Sequence, residues 1–505
     1  MQVLFVAGDI TPVVRNLVIP VVLGMIVSVL CVVSGPLTFD GMDGPEFAVA
    51  GQRLEICHSP GYPLFMWLLR VSGGRDYNSL RVFGCLIAGL AASGVYFAVK
   101  SYGIGTEASA AVSLVLVSSG AVMSQLNILE VHGLSLLLAS VAIASRKTQL
   151  GSYAMGMSVF GGHPLSILLF PMVINRRWLR TWPLALLPAT MWLYVPLRSG
   201  TASLMHYGVP NSMGGILHYM TMYTGRVSGI SVSGLWESIL SLGPVTVVYL
   251  VVTGWFGRFK VRFLFVLAGV LLVFLFYGIP DVQAYFWLLM LPLSIVFASG
   301  LQRLLDRHHL LLSLLMLCFT VASVVTGTIV SWDKRGNAMH IIASDMLRGI
   351  PFERVLCAED AMLYYSAYLI GLEDRRPDLL AIDKLGVIYP FSRLTGPLST
   401  IPPEFAGRYV YATGAWGQLP PSGLVFSVEG TRLNWEKYDV FSTCIQPTEH
   451  IACDIMAELW ALRAVQEDNH AAVMAAFEKA QEFTESEVSV NAVSSLMNSY
   501  SESSR

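Results

Sequence analysis

The chain has 505 residues, of which 54% are hydrophobic and only 13% charged, with a mean hydropathy of +0.60. A soluble domain carries about a quarter of its residues as charges, so this composition excludes an ordinary soluble fold and implies a polytopic membrane protein. The net charge of −2 argues against a nucleic-acid partner.

Asn16–Ser34 follows an apolar start, Gln2–Val6, that lacks a basic region. It is predicted to be a first spanning helix rather than a cleaved signal. The loop 34–79 comes next and carries Asp40, Asp43, Glu46, Arg53, Glu55 and His58. Charge at a membrane edge is costly unless it faces water or acts. Asp43 and Glu46, three apart, can share one side of a first helical turn. Ser59-Pro60-Gly61-Tyr62-Pro63 then sets a stiff turn. Tyr62–Val71 is too short to span and suits a helix lying on the interface.

Further apolar runs long enough to span occupy 80–99, 106–121, 128–144, 182–197, 241–256, 262–278, 283–300 and 309–330. A pair at 152–160 and 164–174, split by Gly161-Gly162-His163-Pro164, reads as two short or re-entrant helices. The sum is about eleven membrane segments. Arg15, Lys100, Arg146-Lys147, Arg176-Arg177-Arg180, Arg258-Lys260-Arg262 and Arg303-Arg307 all fall on one side if the split pair turns back. That side is predicted to be cytoplasmic, with the N-terminus. The loops 34–79 and 198–240 and everything after 331 are then extracytoplasmic. The second outer loop is rich in Gly, Ser, Met and Tyr, with an amphipathic stretch at Ile216–Thr224.

Residues 1–331 thus form a transmembrane domain, and 332–450 change to a polar, mixed composition. A strand from Arg354, a helix Ala361–Ile370 and a strand Leu379–Ile382 make a βαβ pattern, hence a small α/β domain. Residues 451–505 read as helical, and Asn469–Phe483 resembles half of a tetratricopeptide-type pair; one pair makes no array. The fold class expected is an all-α polytopic membrane protein with a small α/β extracytoplasmic domain and a C-terminal helical hairpin. The cysteines at 31, 57, 85, 318, 357, 444 and 453 show no metal-ligand spacing. Cys444 and Cys453 are either a small disulfide or two thiols. The sequence establishes no cofactor, and a divalent metal is an open alternative.

Asp43-Gly44-Pro45-Glu46-Phe47 followed by His58-Ser59-Pro60-Gly61-Tyr62-Pro63-Leu64 resembles the "DSGEF … HPPGYPL" signature of the transmembrane O-mannosyltransferases. That family belongs to the GT-C superfamily of polyprenyl-phosphate-sugar-dependent glycosyltransferases. Asn127–His132, Phe160–His163, Tyr194–Pro210 and Tyr277–Phe286 resemble further family segments in order, and Arg376-Pro377-Asp378 an element of bacterial members. The chain departs from the pattern at Pro45, Ser59, Gly162 and Tyr207. The resemblance implies a GT-C-like fold in a bacterial inner membrane. It also implies inverting transfer of a mannose-like sugar from a polyprenyl-phosphate donor to a protein or glycan hydroxyl at the outer face.

Under the resemblance Asp43 matches the loop aspartate that takes the acceptor's proton; its plain alternative is a helix cap. Glu46 either positions Asp43 or the acceptor, or completes a capping pattern. Asp40, His58 and Tyr62 in the loop are candidate substrate contacts, with Asp40 also readable as a solvated loop residue. Glu130 lies within an apolar segment and His163 at a helix break; each is either part of the site or a structural group, and His163 is also a candidate contact to the donor phosphate. Arg198 and Arg226 are candidate contacts to the donor phosphate or interfacial anchors. Tyr277, Tyr285 and Trp287 read as interface-belt aromatics. A transporter or flippase of lipid-linked sugars, and a non-catalytic membrane scaffold, are the rival functions.

Overall fold

The computed structural model describes residues 12–39, 43–199, 206–207, 214–216, 219, 236, 239–240, 242–257, 261–276, 282–307, 310–332, 338–350, 355–358, 360–383, 388–389, 410–412, 421–422, 425–427, 450–464, 466, 470–484, 490, 493–494 and 497. Asp40, Arg226, Tyr277 and Cys444, on which expectations were placed, lie outside them.

The described chain is mostly helical. Helix α1 (Pro12–Ser34) packs along α4 (Tyr77–Lys100) through a seam of small residues. A Cβ on Gly89 would meet the Gly24 carbonyl at 2.4 Å, so the two backbones nearly touch there. Between these helices run α2 (Asp43–Arg53) and α3 (Pro63–Ser72). Asp43 and Glu46 sit in the first turn of α2 and Arg53 in its last. These charges complement the helix dipole at both ends. Asp76 caps α4 by accepting the Ser79 N–H at 3.1 Å.

Among the described residues three helices are long and apolar enough to cross a membrane, Leu17–Ser34, Tyr77–Lys100 and Ala284–Asp306. The run 106–121 is not one straight span. It breaks into α5 (Thr106–Val117) and α6 (Gly120–Leu126), bent by 71°. At the break the hydroxyls of Ser118 and Ser119 bond back to the carbonyls of Leu114 and Leu116. Shorter apolar helices include α7 (His132–Ala144), Pro244–Trp255 and Val261–Phe276.

The split pair is irregular, as expected. Helix α8 (Gln149–Gly156) runs into a π-helical turn, Met157–Gly162, and a 3-10 turn, Pro164–Leu169, follows. The run 182–197 also differs from one regular span, because a 3-10 segment occupies Leu187–Leu193. Trp192 Nε1 donates to the Phe160 carbonyl at 2.9 Å, pairing a backbone group at the π turn.

After the last long apolar helix, Leu310–Trp332, comes Ala338–Gly349 and then the expected βαβ unit. Strand β2 (Val355–Ala358) lies parallel to β3 (Leu380–Asp383), with Val355 opposite Leu380, and the helix Asp360–Gly371 is the crossover. The sheet continues through β5 (Val410–Ala412), β7 (Val425–Ser427) and β6 (Pro421–Ser422), in the order β3-β2-β5-β7-β6. Strand β1 (His206–Tyr207) pairs with β4 (Ile388–Tyr389), tying the second loop to this part of the chain. The helices His450–Ala464 and His470–Glu482 pack as a hairpin over Ala457, Ala461, Val473 and Phe477.

The orientation inferred from the basic clusters is open to direct measurement. Fusions of a reporter active only outside are expected to give signal at Asn211 and Gly414 and none at Lys147 or Arg258. Signal from the opposite set would reverse the assignment.

Candidate functional site

The site is built where the loop 34–79 folds back on itself. Helix α2 ends at Arg53, the next residue, Leu54, has a φ of +54°, and the chain then returns to His58. Gly61 then adopts φ +84°, and a Cβ there would meet Tyr219 Oη at 2.7 Å. This return brings His58 alongside the first turn of α2.

Glu46 is fully buried and holds His58 with both oxygens. Its Oε1 accepts the His58 backbone N–H, and Oε2 pairs with Nδ1 at 2.7 Å. The other ring nitrogen, Nε2, faces Asp43 Oδ2 at 3.8 Å. The imidazole is thus the middle of a carboxylate–imidazole–carboxylate row. Asp43 keeps 31% of its side chain exposed, so this end of the row opens to the surroundings. Glu130, at the head of α7, accepts the Val131 N–H at 3.2 Å.

Burial works against a charged His58 ring. The Glu46 and Asp43 carboxylates, the Glu46 hydrogen bond and Glu130 outweigh it and push the ring up to about 10. His58 is therefore an imidazolium at neutral pH. Burial raises the Asp43 carboxyl above its ordinary value; the His58 charge opposes this, and Glu46 adds to it.

Tyr62, His163, His132 and Tyr285 extend the site inward as a chain of buried rings. Tyr62 stacks on His163 at 5.9 Å, and Tyr285 lies 4.9 Å from His163 and 5.3 Å from His132. His163 uses Nδ1 to accept the Leu165 N–H at 3.2 Å, so it also caps the 3-10 turn. Nδ1 of His132 has no partner among the described residues. Tyr285 and Trp287 are buried, which corrects their reading as interface-belt residues: both enter the helix packing.

Of the residues expected at the site, Asp43, Glu46, His58, Tyr62, Glu130 and His163 come together. Arg198 does not join them. Its Nε and Nη2 donate to the carbonyls of Leu54 and Arg53 at 2.5 and 3.1 Å. Those carbonyls lie at the far end of α2 from Asp43, roughly 15 Å away at 1.5 Å per residue. This geometry is that of an anchor. Tyr194 and Tyr219 make similar bonds, to the carbonyls of Glu55 and Cys57. Neither was singled out from the sequence, where Tyr194 stood only as the first residue of a family segment.

One ligating atom each of Asp43, Glu46 and His58 lies within 4.8 Å of the others, close enough for a divalent cation. To serve as a ligand through Nδ1, His58 would have to release Glu46. As they stand, the three groups satisfy one another.

No protein-family model and no curated protein matches the chain. Three solved chains match in fold. Among them is the crystal structure of ArnT from Cupriavidus metallidurans in the apo state, with a TM-score of 0.47 and 14% identity over 68% of this chain and 84% of that one.

Proposed function

We propose that this chain is a membrane glycosyltransferase of the GT-C type, which moves a sugar from a polyprenyl-phosphate donor to a hydroxyl at the outer membrane face. The observation that carries the reading is the Asp43–His58–Glu46 row, built from the same residues that resemble the O-mannosyltransferase signature. Asp43 accepts the acceptor's proton as that oxygen attacks the anomeric carbon. The bond from that carbon to the phosphate oxygen breaks, the electron pair leaves with polyprenyl phosphate, and the configuration inverts. Glu46 fixes the His58 ring, and the imidazolium keeps Asp43 in its charged, proton-accepting form. The sugar is read as mannose-like, and the acceptor as a protein or glycan hydroxyl.

The reading is tested with purified protein in detergent, a radiolabelled polyprenyl-phosphate hexose and an outer-membrane or periplasmic acceptor extract. Transfer or donor hydrolysis without a sealed compartment supports it. Lipid-linked sugar movement that needs sealed vesicles, with no transfer, would instead support a flippase.

The row also dictates a pH dependence. The rate is expected to fall on acidification at a pH above the ordinary Asp range, because the Asp43 carboxyl is raised. His58 keeps its charge until the pH passes about 10, so it is an imidazolium throughout that acid limb. His58→Gln removes that charge, so the acid limb of kcat/KM should move to higher pH. An acid limb unmoved in a folded His58→Gln protein would separate His58 from the base.

A further inference from the structure

The βαβ unit after Trp332 is not a separate appendage of the membrane part. Its crossover helix, Asp360–Gly371, lies against α2, the helix that carries Asp43 and Glu46. The contact is pinned at both ends of α2. At the C-terminal end Arg53 Nη2 donates to the Gly371 carbonyl at 2.8 Å. Ahead of the N-terminal end the Tyr365 hydroxyl donates to the Phe39 carbonyl.

The Phe39 ring is held edge-on from two sides, by Tyr368 at 4.7 Å and by Tyr77 of α4 at 4.8 Å. Those two tyrosines are themselves joined, since the Tyr77 N–H donates to Tyr368 Oη at 3.2 Å. Tyr77 Oη in turn donates to the Pro36 carbonyl at 2.6 Å. On its other side the Phe39 ring rests on Gly44, where a Cβ would meet it at 2.9 Å. Gly44 adjoins Asp43. Tyr365 and Tyr368 are fully or almost fully buried, as are Leu363 and Leu369 on the same helix. A buried aromatic pair with its hydroxyls spent on backbone groups is a rigid support.

We propose that Tyr365 and Tyr368 are positioning residues for the transfer reaction: through Phe39 they set the first turn of α2, and with it the place of Asp43. The α/β unit is then part of the working site. A base displaced by about an ångström can lose orders of magnitude in rate. The inference rests on Asp43 being the base, and the test separates the two.

Full-length protein is compared with Tyr365→Phe, which keeps the ring and loses the hydroxyl, and with Tyr365→Phe/Tyr368→Leu. Amide exchange is followed in peptides covering Pro36–Phe47, with α4 and α7 as internal references. In Tyr365→Phe, exchange in Pro36–Phe47 is expected to rise roughly two- to tenfold, the range for one lost hydrogen bond. It should rise further in the double variant and stay unchanged in the references. In transfer assays kcat should fall by about the same factor or more, with the donor KM and the acid pH midpoint unchanged.

Unchanged exchange in Pro36–Phe47 overturns the proposal. So does an equal rise across the whole chain, which would mean the tyrosines act on global stability alone. A local rise with unchanged kcat overturns it when Asp43→Asn is inactive. If Asp43→Asn is fully active, the assignment of the base has failed, and the positioning role built on it fails for that reason.

Discussion

Asp43→Asn is expected to reduce transfer by about 10²–10⁴-fold, the usual cost of removing a general base. The substitution keeps shape and volume, so the fold should persist, with a melting temperature close to that of the parent. Donor affinity should also persist, because an ionised carboxylate has no donor to offer a phosphate. Asp43→Glu should restore little, since one methylene moves the carboxylate by about an ångström. The measurement is a single-turnover transfer assay beside a thermal melt. A folded Asp43→Asn protein that transfers normally rules Asp43 out as the base and leaves Asp40 or Glu46 as the next residue to test.

Glu46→Ala should do more damage than Asp43→Asn to the fold itself. Glu46 is fully buried and accepts both the His58 N–H and the ring Nδ1. Alanine leaves a donor and an imidazolium without their partner. Removing one member of a buried pair costs about 3–5 kcal/mol, a large share of ordinary stability. Glu46→Gln retains an acceptor and should lose less. The stabilisation has a pH signature as well. His58 is raised above its unfolded value, so its pairing counts fully below about pH 6.5 and fades as the pH rises through about 10. Melts of the parent and Glu46→Ala proteins should therefore converge at the alkaline end. Curves that stay equally far apart from pH 6 to 10 would place the cost of Glu46→Ala outside the His58 pair.

Much of this arrangement is legible in the residues. The acidic first turn of α2, the stiff Ser-Pro-Gly-Tyr-Pro turn and the βαβ unit all depend on local signals: spacing, turn chemistry and strand-helix-strand alternation. The break between α5 and α6 is not legible in the same way, because hydropathy measures composition and registers no bend. Tyr285 looks like a belt aromatic because its neighbours are apolar and aromatic. Only packing shows that it sits between two histidines. Arg198 has the charge of a phosphate ligand, and nothing in its neighbours reveals that its guanidinium bonds the carbonyls of Arg53 and Leu54. The tyrosine supports are least visible of all. Their partners are backbone carbonyls and rings far away in sequence, and a backbone carbonyl carries no residue-type signal.

The Tyr365–Phe39 bond joins residues 326 positions apart. At synthesis rates of about 5–20 residues per second, the loop waits on the order of tens of seconds for its support to be made. Membrane insertion of α1 and α4 can be complete long before that. The carboxylate helix is therefore among the last parts of the molecule to reach its final place, and a nascent chain halted after Trp332 would possess both carboxylates without the support that aims them. Under the proposed role, competence for chemistry waits on the crossover helix Asp360–Gly371 rather than on the membrane helices, so termination between Trp332 and Asp360 should yield an inserted but idle protein.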